Sequence, residues 1–181
     1  SDLTIDEAVA ALGLARAHLG VAAETAAEAS GELRELAGLL LRFQRELFVA
    51  GAELASNPEA WERLRDGTTR VSAAMVEGVE DVLVAREAAI SMPREFVVPG
   101  ETLASAALEI ARTILRRAER RAVTLDAEGL VPGEHLVRYL NRLADLLWVL
   151  ARAAEQAEDR SATPSRSGTS PRTGRTTSTK K

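Results

Sequence analysis

Cysteine is absent, which excludes a disulfide framework, a thiolate metal site and a catalytic thiol, and suits a reducing cytoplasm. The two histidines, His18 and His135, stand far apart, so no metal site is expected. Aromatic residues supply only 3% of the chain, while Ala, Leu, Val, Glu and Arg dominate. That composition belongs to helices packed through small and branched aliphatic side chains rather than to a strand-rich fold. No apolar run approaches the roughly 20 residues needed to span a bilayer, and no charged-then-apolar leader opens the chain. The expectation is a soluble, cytoplasmic, non-secreted protein with no membrane partner.

What is present is enough for one domain: 181 residues, 46% apolar and 28% charged. Charge is unevenly placed. Arg160 to Lys181 carries six basic residues and no acid, leaving 17 basic and 27 acidic residues before it, a body of about minus ten. A field of that sign argues against nucleic acid as a partner of the folded part. Residues 159–181, rich in Ser, Thr, Pro, Gly and Arg, hold too little apolar surface to offset their ordering entropy. They are expected to be a disordered basic tail behind a helical bundle of residues 1–158.

Within the bundle, Thr4-Ile5-Asp6-Glu7 has the form of a capping box, and Ile5, Val9, Leu12 and Leu19 recur at helical spacing. A first helix is predicted over 4–19, extendable through the Ala-rich segment to Ala29. Leu36, Leu40, Phe43, Leu47 and Leu54 mark a second, ending near Ser56. Asn57-Pro58 reads as an N-cap and first-turn proline. A short helix and then a longer one, over 69–89, are expected on either side of Asp66-Gly67. Met92-Pro93 and Pro99-Gly100 bracket an extended piece, Phe96 to Val98, because residues before proline leave the α region. A helix over 102–125 follows, then a Gly/Pro turn, then a last helix over 134–156 with a seam of Leu136, Leu140, Leu143, Leu147 and Leu150. The fold class is all-α, an up-and-down five-helix bundle.

At 3.6 residues per turn, Arg112, Arg116, Glu119 and Arg120 share a stripe beside the apolar face formed by Ala111, Leu115, Ala118 and Ala122. Guanidinium is a planar fork of permanently charged donors, suited to bidentate capture of phosphate oxygens. The same arginines could instead pair with acids on neighbouring helices. Arg117 and Arg121 point elsewhere, toward solvent or another subunit. On the last helix Asn141, Asp145, Trp148 and Arg152 line one stripe beside the leucine seam, a pattern also given by a simple interhelical contact.

The segments ARTILRRAER (111–120) and YLNRLADLLW (139–148) resemble ARTxxRRAER and YLNRLSDLLF of the PduO-type ATP:cob(I)alamin adenosyltransferases. FQRELFVAGAELAS (43–56), PREFVVPGE (93–101) and TIDEAVAALGLARAHL (4–19) are similar to further segments of that family, in the same order. The resemblance implies a five-helix bundle, assembled as a homotrimer with sites between adjacent subunits. It implies ATP and Mg²⁺, with cob(I)alamin or cob(II)alamin as the corrinoid substrate. Cobalt would attack the 5′ carbon of ATP, giving adenosylcobalamin and triphosphate, so that a reductase and an adenosylcobalamin-dependent enzyme become possible partners.

By position, Arg112 and Arg116 match the family arginines at the nucleotide, Glu119 and Arg120 complete that motif, and Asn141 matches the asparagine of the last helix. Asp6 is the implied partner of Arg112 across the subunit boundary. Phe96 matches the aromatic that packs under the corrin and displaces its lower ligand, although patterning alone would equally make it a core residue. The family's TRTGDxGxT segment and the basic stretch after it have no counterpart, and the only lysines are Lys180 and Lys181. Either an upstream segment precedes Ser1, or the chain is a homologue lacking part of the ATP site and serving as a corrinoid-binding or scaffolding module. Val9, Ala144 and Glu101 stand where the family has Asn, Ser and Gly.

Overall fold

A computed structural model describes residues 3–166. Five α-helices dominate: α1 Leu3–Thr25, α2 Ser30–Leu54, α3 Ala73–Ala89, α4 Leu103–Ala127 and α5 Leu136–Ala157. A 3-10 turn, Pro58–Arg63, lies between α2 and α3. The expected five-helix all-α fold is therefore the one observed. Helix α1 packs between α2 and α4, and α5 lies against α4 and α3. The leucine seam of α5 is fully buried from Leu136 to Leu150, together with Leu12, Leu19, Leu36, Leu40, Phe43, Leu47, Leu108 and Leu115. Each such side chain contributes about 1.5–3 kcal/mol by leaving water.

The helix ends show where local chemistry differs from the pattern. Helix α1 already includes Leu3, so Thr4 is not an N-cap; it is fully buried, and its hydroxyl accepts from Arg121 of α4. The Ala-rich continuation stops at Thr25. Asn57 is extended before Pro58 as expected, but its side chain makes no capping bond. Helix α3 begins four residues later than predicted. The Arg65 carbonyl accepts the N–H groups of Thr68, Thr69 and Arg70 in a tight loop that needs Gly67 at φ +75°. Ser72 then caps Met75.

Residues 159–166 were expected to belong to the unstructured tail. Instead Thr163–Pro164 forms a strand, β2, antiparallel to β1, Val97–Val98. Backbone groups left free by the irregular 91–100 segment pair there: the Phe96 carbonyl accepts the Ser165 N–H at 2.7 Å. The remainder of the tail lies outside the described residues.

Candidate functional site

Helix α4 starts with reciprocal capping: the Ser105 N–H donates to the Thr102 hydroxyl at 3.0 Å, and the Thr102 N–H to the Ser105 hydroxyl at 3.2 Å. Gly100, at φ +126°, makes the preceding turn. With its start fixed, α4 presents its charged stripe along α5. The Arg116 guanidinium donates to Glu119 at 2.6 Å, and the Asn141 amide of α5 donates to the other Glu119 oxygen at 2.8 Å. The Glu119 carboxylate is buried while the Arg116 side chain remains 42% exposed, so one face of the guanidinium is held and the other stays open.

One turn earlier, Arg112 donates through Nε to Glu109 at 2.7 Å. The other Glu109 oxygen accepts from Arg152 at 3.3 Å, and Arg152 makes a bidentate pair with Glu155 at 2.7 and 2.8 Å. Arg152, Glu155 and Glu109 are buried, and Arg152 lies over the Trp148 ring at 5.3 Å. Isolated buried charges would be costly; here each finds an opposite charge. The acids that meet Arg112 and Arg116 lie on α4 itself, not on neighbouring helices. Glu109 and Glu155 were missed by sequence reasoning, although their spacing of three residues from Arg112 and Arg152 carries the signal.

Phe96 is 87% exposed and is therefore not a core residue. It lines a cavity of about 570 Å³ with Arg112, Glu109, Trp148 and Pro93, a volume in the range of small-molecule sites. The structure thus brings Phe96 and Arg112 to one cavity, and Arg116, Glu119 and Asn141 to an adjoining cluster. Arg120 is exposed and makes no ion pair among the described residues. Asp6 is likewise exposed; among the described residues its side chain makes no hydrogen bond or ion pair and does not meet Arg112. Arg117 and Arg121 contact Glu7 and Thr4 of α1 instead of projecting away.

Outside the cavity, the pKa values of Glu53 and Tyr139 are displaced upward. Burial is the main cause of the raised Glu53 carboxyl pKa, partly countered by the N–H groups of Val71 and Gly133 and by Arg70. Burial also pushes the Tyr139 hydroxyl up, and the Glu46 carboxylate that accepts its proton at 2.9 Å adds to the shift.

A family model described as cobalamin adenosyltransferase matches residues 4–154. A corrinoid adenosyltransferase from Citrobacter freundii is 37% identical over 157 residues, covering 86% of this chain and 80% of the relative. One from Bacillus subtilis is 36% identical over 151 residues, covering 82% and 69%. The chain spans only 34% of the longer Citrobacter freundii protein PduO, at 39% identity. A solved variant of a PduO-type ATP:corrinoid adenosyltransferase from Lactobacillus reuteri, complexed with cobalamin and ATP, shares the fold at TM-score 0.66. It is 24% identical, with 91% of this chain and 87% of that chain covered. The arginine helix, its α5 partner and the Phe96 loop all fall inside the matched span, and the chain belongs to the cobalamin adenosyltransferase family.

Proposed function

We propose that the chain transfers the 5′-deoxyadenosyl group of ATP to the cobalt of cob(I)alamin, releasing triphosphate. The observation that carries this reading is the single cavity shared by an exposed aromatic, Phe96, and the arginine end of α4. Cob(I)alamin is itself a strong nucleophile, so no general base is required. Positioning and stabilisation of the leaving triphosphate's charge are the protein's contributions.

In this reading Arg112 and Arg116 hold the nucleotide and its phosphates, with Mg²⁺ arriving as part of the substrate. Glu119 and Asn141 keep Arg116 oriented, and Arg120 supplies a further cation at the end of the motif. Phe96 supports the corrin from below and displaces its lower ligand, so that cob(II)alamin accepts an electron from a reductase more easily. An adenosylcobalamin-dependent enzyme would receive the product.

A trimer with Asp6 meeting Arg112 of the next subunit fits two further features. Asp6 has no partner within the chain among the described residues. The contacts Thr4 with Arg121 and Glu7 with Arg117 set α1 antiparallel to α4. Leu14 and Val21 of α1 then lie opposite Ile110 and Leu103 of α4, all four at least about half exposed, forming an apolar face across the seam. Such a face suits a subunit interface. Sedimentation would show a species three times the chain mass; a stable monomer would contradict the assembly.

Anaerobic incubation with chemically reduced cob(I)alamin and Mg-ATP tests the activity. The light-sensitive spectrum of adenosylcobalamin, with equimolar triphosphate, is the expected result. Absence of both from folded protein would contradict it.

A further inference from the structure

Glu101, an acid where the resemblance leads one to expect glycine, is not turned toward the arginine stripe. Its carboxylate accepts the Thr163 hydroxyl and lies 4.0 Å from the Arg160 guanidinium. Those residues belong to the segment that follows α5 and returns across the mouth of the Phe96 cavity, where Ser165 contributes to the lining. Farther back, the Gln156 amide closes a two-way bond with the backbone of Ser91, at 2.9 and 2.8 Å. Between these ties, β1 and β2 pair over two residues only, and the Ser165 N–H holds the Phe96 carbonyl at 2.7 Å.

A two-residue ribbon is too short to persist alone, so its geometry depends on what fastens its ends. One end is fastened by Glu101 and the other by the Ser165–Phe96 bond. The side chain of Phe96 contributes nothing to the ribbon and remains 87% exposed, facing solvent and the cavity. The backbone is thereby restrained while the ring is left free to meet a ligand.

We propose that residues 160–165 form a strap, latched by Glu101, that positions the Phe96 loop for corrinoid binding. Glu101 and Ser165 are positioning residues in this account, which rests on the corrinoid reading of the Phe96 cavity. A loop free to swing would have to be ordered again at each binding event, and the strap removes that entropic cost in advance.

The test uses the full chain with Glu101→Ala, Ser165→Pro, which deletes the N–H that Phe96 accepts, and Ser165→Ala, which keeps it. In ligand-free protein, hydrogen exchange at the Val98 amide is expected to rise about fivefold in the first two variants, the effect of one lost hydrogen bond, and not in the third. With Mg-ATP and cob(II)alamin, electron paramagnetic resonance should show a smaller four-coordinate fraction in the same two variants. Turnover of Glu101→Ala from chemically reduced cob(I)alamin should stay within about twofold of wild type, because Glu101 does not line the cavity and the arginine helix is untouched. Faster exchange with an unchanged four-coordinate fraction would reduce the strap to a structural tie and overturn the proposal, as would unchanged exchange. If the exchange effect appears but the wild-type chain binds no corrinoid, the functional reading itself has failed, and the proposal falls with it.

Discussion

The two ends of the cavity are built in opposite ways. Along α4 and α5 the charged groups are held by partners: Arg112 by Glu109, Arg116 by Glu119, Glu119 also by the Asn141 amide, and Arg152 by Glu155. Around Phe96 the backbone is irregular and the ring is exposed; the Phe96 carbonyl is held by the Ser165 N–H, and the side chains of Glu101 and Gln156 tie the flanks of the loop. Stabilising the charge of a leaving polyphosphate calls for fixed donors, since donors that must reorganise lose their advantage. Accommodating a large planar ring calls for an apolar surface that is already bare. The helical end is thus preorganised by electrostatics and the loop end by exclusion of other contacts.

Arg152→Ala should have the largest effect on the helical end, because it leaves Glu155 and part of Glu109 as uncompensated buried charges. A loss of about 3–5 kcal/mol is expected, read from urea unfolding. A loss below about 1 kcal/mol would show the network to be solvated, and the contrast between the two ends would weaken. Next, Arg112→Ala is expected to lower kcat/KM for ATP by about 10²–10³ with the melting temperature nearly unchanged, the cost of removing one donor aimed at developing charge. A change below tenfold in steady-state kinetics would remove Arg112 from the site.

Asn141→Ala is a milder probe. It deletes one bond to Glu119, worth about 0.5–1.5 kcal/mol, and should raise KM for ATP more than it changes stability if Arg116 loses its orientation. Equal effects on both would mean that the pair merely fastens α4 to α5. The smallest effect should lie outside the site, at Glu53. Its folded pKa is raised above 4.5, so the folded state holds the proton more tightly. Stability derived from this group is complete below pH 4.5 and is lost as pH rises through the folded value. Urea midpoints measured from pH 4 upward should therefore fall in wild type relative to Glu53→Gln, and parallel curves would contradict the raised pKa.

The helical end could be read from the sequence because residues three and four apart must share a face, which placed Arg112, Arg116 and Glu119 together. The leucine seam of α5 was legible for the same reason. Charges inside the core were not: Glu109 of α4 and Glu155 of α5 look like any solvated acid until the two helices pack together. Thr4 mimicked a capping box because the four-residue pattern says nothing about Arg121, which reaches it from the far end of α4. The strap was invisible because Thr163-Pro164 has no apolar alternation, and its pairing rests on backbone groups that every sequence possesses. Phe96 could be singled out, but only the structure separates an exposed ring from a core one.

The most direct test of this division is anaerobic turnover of wild type, Arg112→Ala and Phe96→Ala, each supplied with Mg-ATP and either chemically reduced cob(I)alamin or cob(II)alamin plus a reductant. The account predicts that wild type forms adenosylcobalamin from both and that Arg112→Ala fails with both. Phe96→Ala should lose at least the factor of about ten that 1.4 kcal/mol represents, with cob(II)alamin only. Equal losses for Phe96→Ala from the two corrinoids, or full activity in Arg112→Ala, would contradict it.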